Sequence, residues 1–222
     1  MASLRHIANC IGLPARFSVI GDFYGYITGA PGPLSLLQQL RLLQGPHIHL
    51  NLICVGVESF TDFDMEVVDR KVQAAREIYA TVNLGIGRVL WFIITTAEAN
   101  GREHIGSTSE AEDLTEEWTV DNDALDVFVV LIFAGVIAGY SAIGGSCDKN
   151  SKGITGVVVD TELWYADFTL AHEIGHYLGL GHSTDRNNIM FKGQVTGMGI
   201  LTASQGATMR GHCFVKPGCP ES

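Results

Sequence analysis

Two hydrophobic periods alternate along this chain, and the switches between them mark its elements. From Ile48 to Val57 the run alternates often enough to predict a strand. Met65, Val68, Val72, Ala75, Tyr79 and Val82 then recur at steps of three and four, which predicts a helix over 65–82 with Asp64 as its N-cap. Arg88 to Thr95 is apolar enough to predict a second, central strand. The acidic segment Ser107 to Trp118 reads as a surface loop or short helix. Ala124 to Ala134 predicts a third strand, Gly139 to Gly156 an edge strand and loop, and Val157 to Asp160 a short last strand. A helix over about 164–178 follows. Thr202 and Gln205 form a T-x-x-Q capping box that opens a final helix, roughly 203–211. Strand, helix, further strands and a helix again predict an α/β (α+β) fold.

Residues 1–46 stand apart from this regular pattern. They carry Pro14, Pro31, Pro33 and Pro46, with Gly12, Gly21, Gly25, Gly29 and Gly32 between, and one helical patch from Leu34 to Leu43. They read as an N-terminal extension, a lid or pro-segment on a main domain spanning 47–222. No internal repeat or low-complexity tract interrupts the rest.

The 222 residues are 46% hydrophobic and 17% charged, enough for a sizeable core and too little charge for a disordered chain. With 14 basic against 24 acidic residues the net charge is −10, which argues against nucleic-acid binding through a basic face. Five cysteines leave at least one unpaired within the chain. Cys213 and Cys219 are close enough to bridge a small C-terminal loop, and Cys54 sits in an apolar run as a buried thiol. Met1 to Asp22 contains no apolar segment long enough for a signal peptide, and Val127 to Gly139 is too short to span a bilayer.

The chemistry concentrates in His172-Glu173-Ile174-Gly175-His176-Tyr177-Leu178-Gly179-Leu180-Gly181-His182, which reads H-E-x-x-H-x-x-G-x-x-H. Two histidines four residues apart share a helix face and can grip one ion. Glu173 is offset by roughly 100° at the helical period, so it reaches a water on that ion rather than the ion itself. Gly179 can end the helix in a left-handed conformation and swing His182 back as a third ligand. Three protein ligands leave one position open, which separates catalytic zinc from structural zinc. The plain alternative is an apolar helix on which histidines happen to fall. Five fixed positions in eleven outweigh it. The isolated His47, His49, His104 and His212 have no ligand spacing and are assigned no site.

This stretch resembles the long zinc-binding consensus of the metzincin metallopeptidases. Asn188-Ile189-Met190 follows at a distance suited to the methionine turn of that family, with Met190 beneath the metal. Ser183, directly after the third histidine, is similar to the matrixins, and the segment Leu201 to Arg210 resembles their last helix. The similarity covers about residues 156–211. It implies a zincin with a twisted mixed sheet and helices in an upper subdomain, 47–182, an active-site helix, and a smaller lower subdomain, 183–222. No counterpart of the matrixin structural-zinc and calcium loops is evident; Asp148 to Gly153 reads better as a plain turn. Phe191-Lys192 after Met190 also lacks the extra tyrosine of astacins and serralysins.

The resemblance implies one catalytic Zn2+ held by His172, His176 and His182. Its bound water would attack an internal peptide bond of a protein or peptide substrate, with Glu173 as general base and then acid. Gly179 and Met190 would support the site. Phe191, Val195, Met198 and Ile200 would line an apolar primed-side pocket, or merely pack beneath a loop. Cys10 and Asp22 are loosely similar to the latency switches of matrixin and astacin pro-segments. A catalytically weak, zinc-binding scaffold on the same fold is the competing reading, and intact Glu173 speaks against it. A monomer is expected. The resemblance points to an extracellular protein, whereas the absent signal segment and odd cysteine count point the other way.

Overall fold

The computed structural model describes residues 42–134, 138–162, 167–193, 195 and 199–218. Five strands form the main sheet: β1 (His47–Val55), β2 (Gly85–Ile94), β4 (Leu125–Val130), β6 (Gly139–Ser141) and β7 (Val157–Asp160). Their order is β2-β1-β4-β7-β6, with every neighbouring pair parallel except the antiparallel β6–β7 edge. A two-stranded parallel sheet joins β3 (His104–Ile105) to β5 (Ile132–Phe133). Helices α1 (Asp62–Ala80), α2 (Thr96–Ala99), α3 (Thr108–Glu117), α4 (Thr169–Tyr177) and α5 (Ala203–Arg210), with a 3-10 turn at Val57–Ser59, complete the described elements. The fold is therefore mixed α/β, as the order of elements predicts.

The strand period sorts side chains into two cores. Ile48, Leu50, Leu52 and Cys54 of β1, with Leu125, Val127 and Val129 of β4, face α1 and α4. Ile53 and Val55, with Phe128 and Val130, face the opposite core beside Ala111 and Leu114 of α3. Cys54 is a buried free thiol, as its apolar setting predicts.

Several boundaries differ from expectation. The N-cap of α1 is Thr61, not Asp64; the Thr61 hydroxyl accepts from the Asp64 N–H, while the Asp64 carboxylate accepts from the Thr61 N–H. Asp64 thus occupies the third helical position of a capping box. The expected central strand 88–95 is β2, an edge strand that begins at Gly85 and leaves Trp91 40% and Ile93 63% exposed. Apolar content alone did not distinguish a central strand from this edge. Ser107 caps a true helix, α3. The single strand expected over 124–134 breaks at Leu131, because Ile132–Phe133 pairs with β3 instead. Helix α4 begins at Thr169, later than the pattern suggests.

The loop after β6 positions the end of α4. Lys149 places its ammonium 2.8 Å from the Asp126 carboxylate and 2.8 Å from the Val120 carbonyl. Asp126, 1% exposed, also accepts from Asn51, Thr119 and the Val120 N–H. Asp148 accepts from the Asn150 N–H, so 148–153 includes a plain turn. Cys213 is bonded to Cys147, 66 residues away, and not to Cys219. The C-terminal segment lies against this loop, where His212 Nε2–H donates to the Gly145 carbonyl. That contact brings Cys213 to Cys147, a pairing that sequence proximity could not suggest.

Replacing Asp126 with alanine leaves the Lys149 ammonium uncompensated in a nearly buried position. Asp126→Ala is expected to cost about 3–5 kcal/mol of folding stability. Denaturant midpoints measure this, and a loss below about 1 kcal/mol would contradict the anchoring role.

Candidate metal centre

Helix α4 is held from three sides. Tyr79 of α1, fully buried, donates its hydroxyl to the Ala171 carbonyl at 2.7 Å. Leu170, Ala171 and Ile174 enter the main core. At the C-terminus the N–H groups of Gly144 and Gly145 meet the carbonyls of His176 and Tyr177 at 2.9 and 2.8 Å. The Tyr177 hydroxyl donates to the Ser146 and Thr155 carbonyls, 2.9 Å each.

The helix closes in a Schellman motif. Leu180 N–H bonds to the Gly175 carbonyl at 3.0 Å and Gly179 N–H to the His176 carbonyl at 2.8 Å. Gly179 takes φ +103°, a conformation that a side chain would strain. The chain reverses there, as its sequence position predicts, and carries His182 back beside the helix.

The three imidazoles converge. The candidate ligand nitrogens of His172, His176 and His182 lie within 4.8 Å of one another. His176 Nε2 and His182 Nε2 are 3.2 Å apart. At a zinc–nitrogen bond of about 2.0–2.1 Å, tetrahedral ligands stand about 3.3–3.4 Å from each other, so this spacing suits zinc. His172 Nδ1 lies 2.7 Å from the Ile189 carbonyl, and His176 Nδ1 lies 2.7 Å from the Leu180 carbonyl. A carbonyl only accepts, so both Nδ1 atoms carry hydrogen and both neutral rings present an Nε2 lone pair. Carbonyls bound this way fix ring orientation and raise ligand basicity. The donor set therefore fits a divalent zinc ion.

Burial keeps the helix histidines neutral. It pushes His172 down to about 4, against the hydrogen bond to Ile189, which acts upward. His176 is lowered for the same principal reason. Glu173 is pushed up to about 7 by burial, opposed by a hydrogen bond from Ser141. The Ser141 hydroxyl stands 2.8 Å from Glu173 Oε2 and 2.8 Å from the Glu173 carbonyl. Ser141 belongs to the edge strand β6, 32 residues from Glu173, and no local motif reveals it. Gly139, on the same strand, is equally cryptic: a Cβ there would come within 2.7 Å of Glu173 Cγ.

Met190 is fully buried beneath the helix, and a Cβ on Gly175 would lie 2.7 Å from its sulfur. Of the expected pocket residues, Phe191 is half-buried with the Arg186 guanidinium 5.7 Å from its ring centre, and Val195 packs against the main core. Ile200 is 48% exposed. Met198, Cys10 and Asp22 lie outside the described residues. A cavity of about 350 Å3 opens among Phe63, Leu131, Ile132 and Glu162, and none of the candidate site residues lines it.

This mixed α/β fold, with a five-stranded, mostly parallel sheet, is shared with a metalloproteinase of known structure. It is similar to the crystal structure of metalloproteinase-II from Bacteroides fragilis, with a TM-score of 0.53 and 18% identity, over 81% of this chain and 55% of that one. The chain thus spans about half the length of that protein. Residues 94–197 match the family model of the matrixins, a peptidase family. The chain is thus similar to the matrixins over 104 of its 222 residues.

Gly145 packs directly on the Tyr177 ring, and a Cβ there would lie 2.2 Å from two ring carbons. Gly145→Ala is expected to cost about 3 kcal/mol, the upper end for overpacking. An unchanged thermal midpoint would reject that contact.

Proposed function

We propose that this protein is a zinc metalloendopeptidase. The observation that carries the reading is the convergence of three imidazoles, two with their Nδ1–H groups bound to carbonyls, beside the buried carboxyl of Glu173. The matrixin match supports a peptidase acting on protein or peptide substrates. Among the described residues no helix is long and apolar enough to cross a membrane.

His172, His176 and His182 would hold the ion. Bound zinc supplies an acidified water and polarises the scissile carbonyl. Glu173, one residue from the first ligand, would accept a proton during the attack and donate it to the leaving amine. Its raised proton affinity suits both halves of the task, since a group that titrates near neutrality gives back a proton as readily as it takes one. The Ser141 hydroxyl holds Oε2 and so limits the rotation of the carboxyl. Gly139 leaves room for the Glu173 stem to lie against the edge strand. Met190 seats the helix from below. The chain after Met190, with Phe191 and Val195 among its described residues, would form the wall for the side chain that follows the cut bond.

Glu173→Ala is expected to retain zinc and to lose cleavage by at least about 10²-fold. Zinc content and cleavage of a broad peptide library, measured on both proteins, test this. Equal turnover would remove Glu173 from the reaction. A zinc-loaded wild type that cleaves nothing, also after removal of residues 1–46, would favour a binding scaffold.

Zinc affinity should also follow the burial of the ligands. A proton competes for an imidazole nitrogen only below that group's pKa, and those of His172 and His176 are lowered. Their contribution to proton competition therefore starts below the ordinary 6.5 and steepens as pH falls towards the His172 value of about 4. Chelator competition from about pH 7.5 down to about pH 4 measures it. Affinity that stays constant across that range would contradict histidine ligation.

A further inference from the structure

A side-chain amide pair lies behind the first ligand. Asn188, 3% exposed, donates from Nδ2 to Gln205 Oε1 at 2.8 Å. Gln205 returns the bond from Nε2 to Asn188 Oδ1 at 3.1 Å. The backbone fixes the orientation of both amides. Gln205 Oε1 also accepts from the Thr202 N–H at 2.8 Å, so that atom is oxygen. Asn188 Oδ1 also accepts from the Met190 N–H at 3.0 Å, so it too is oxygen. Each amide has one orientation that satisfies its backbone partner, and that orientation closes the ring between the two.

The pair bridges the start of α5 to the turn that serves His172. Gln205 is the third residue of α5 and completes its capping box with Thr202. Asn188 and Met190, both held through Asn188 Oδ1 or its backbone, flank Ile189. The Ile189 carbonyl is the acceptor of His172 Nδ1–H. The Ile189 N–H is itself fixed by the Ile200 carbonyl at 2.9 Å, one residue before the segment that leads into α5. The peptide carrying that carbonyl is thus clamped on both sides.

We propose that Asn188 and Gln205 are positioning residues for the metal centre. They hold the Ile189 carbonyl where it keeps His172 in the Nδ1–H tautomer, with Nε2 aimed at the ion. The inference rests on the zinc-site reading above. It assigns the N-terminus of the last helix a role in metal affinity in addition to packing. His176 serves as an internal reference, because its Nδ1 partner, Leu180, belongs to the separate turn at Gly179.

The test uses the full chain and Zn2+ as the probe. Gln205→Met keeps length and helix propensity but removes both amide bonds. Thr202→Val is the control, because it weakens the same helix cap while the amide pair remains. Zinc dissociation constants by chelator competition, apo thermal midpoints, and the imidazole N–H resonances of His172 and His176 are compared. Gln205→Met is expected to weaken zinc binding about tenfold, the low end for outer-sphere partners of metal ligands. The His172 Nδ1–H resonance should broaden through solvent exchange while that of His176 persists. Thr202→Val should lower the midpoint with affinity unchanged. If Gln205→Met does not fold, Asn188→Asp is read the same way, since it loses the donor to Gln205 but keeps the acceptor for Met190. Affinity within twofold of wild type in the folded variant, despite a lowered midpoint, overturns the proposal and leaves the zinc-site reading standing. A wild type that binds no zinc overturns both.

Discussion

The reversal of the chain at Gly179 is the constraint on which the rest of the site depends. A continued helix would carry His182 past the face shared by His172 and His176. The left-handed residue turns it back. The same turn does a second job, because the carbonyl of Leu180, one residue on, accepts from His176 Nδ1. One backbone reversal therefore supplies both the third imidazole and the orientation of the second. Its stability is local at the start, through the Schellman bonds to Gly175 and His176, and tertiary afterwards. The Gly144 and Gly145 N–H groups donate to the His176 and Tyr177 carbonyls, and a Cβ on Gly179 would meet Thr208 of α5 at 3.3 Å.

Two carbonyls from separate segments, Ile189 and Leu180, set the two helix histidines. Neither segment is regular structure, so each relies on distant anchors. The first is tied to α5 through Asn188 and Gln205. Near the second, the helix end is capped by the loop fixed through Lys149, Asp126 and the Cys147–Cys213 bond. The buried carboxylate of β4 and the disulfide lie well away in sequence from the histidines, yet both act on the same helix end.

What could be read from the sequence follows from how local each determinant is. The ligand spacing, the Gly179 turn and the Thr202–Gln205 box are patterns within a few residues, and the described structure brings those residues together as their spacing implies. The two-residue period separated the core faces of β1 and β4. Nonlocal determinants stayed hidden. Ser141 meets Glu173 only because β6 runs antiparallel to β7 at the sheet edge. Cys213 meets Cys147 only because the C-terminus returns to the loop after β6. The apolar run of β2 looked central because hydrophobicity reports burial potential and not strand order. Thr61 caps α1 by the same reciprocal logic as Thr202 caps α5, with T-x-x-D in place of T-x-x-Q.

Charge placement explains why this geometry suits a cation. His176 lies in the last turn of α4 and His182 just beyond it, where the helix macrodipole favours positive charge. The Nδ1–H donations to Ile189 and Leu180 add electron density to the same rings. Glu173 is the counterpart. A carboxylate buried at the middle of a helix is disfavoured by desolvation, and its raised proton affinity records that penalty. Ser141 offsets only part of that cost with a single hydrogen bond. A dication held by the three imidazoles would oppose that penalty, because a nearby positive charge favours the carboxylate. Burial raises the proton affinity of Glu173 and a bound cation would lower it, and the balance between the two sets where the group exchanges its proton.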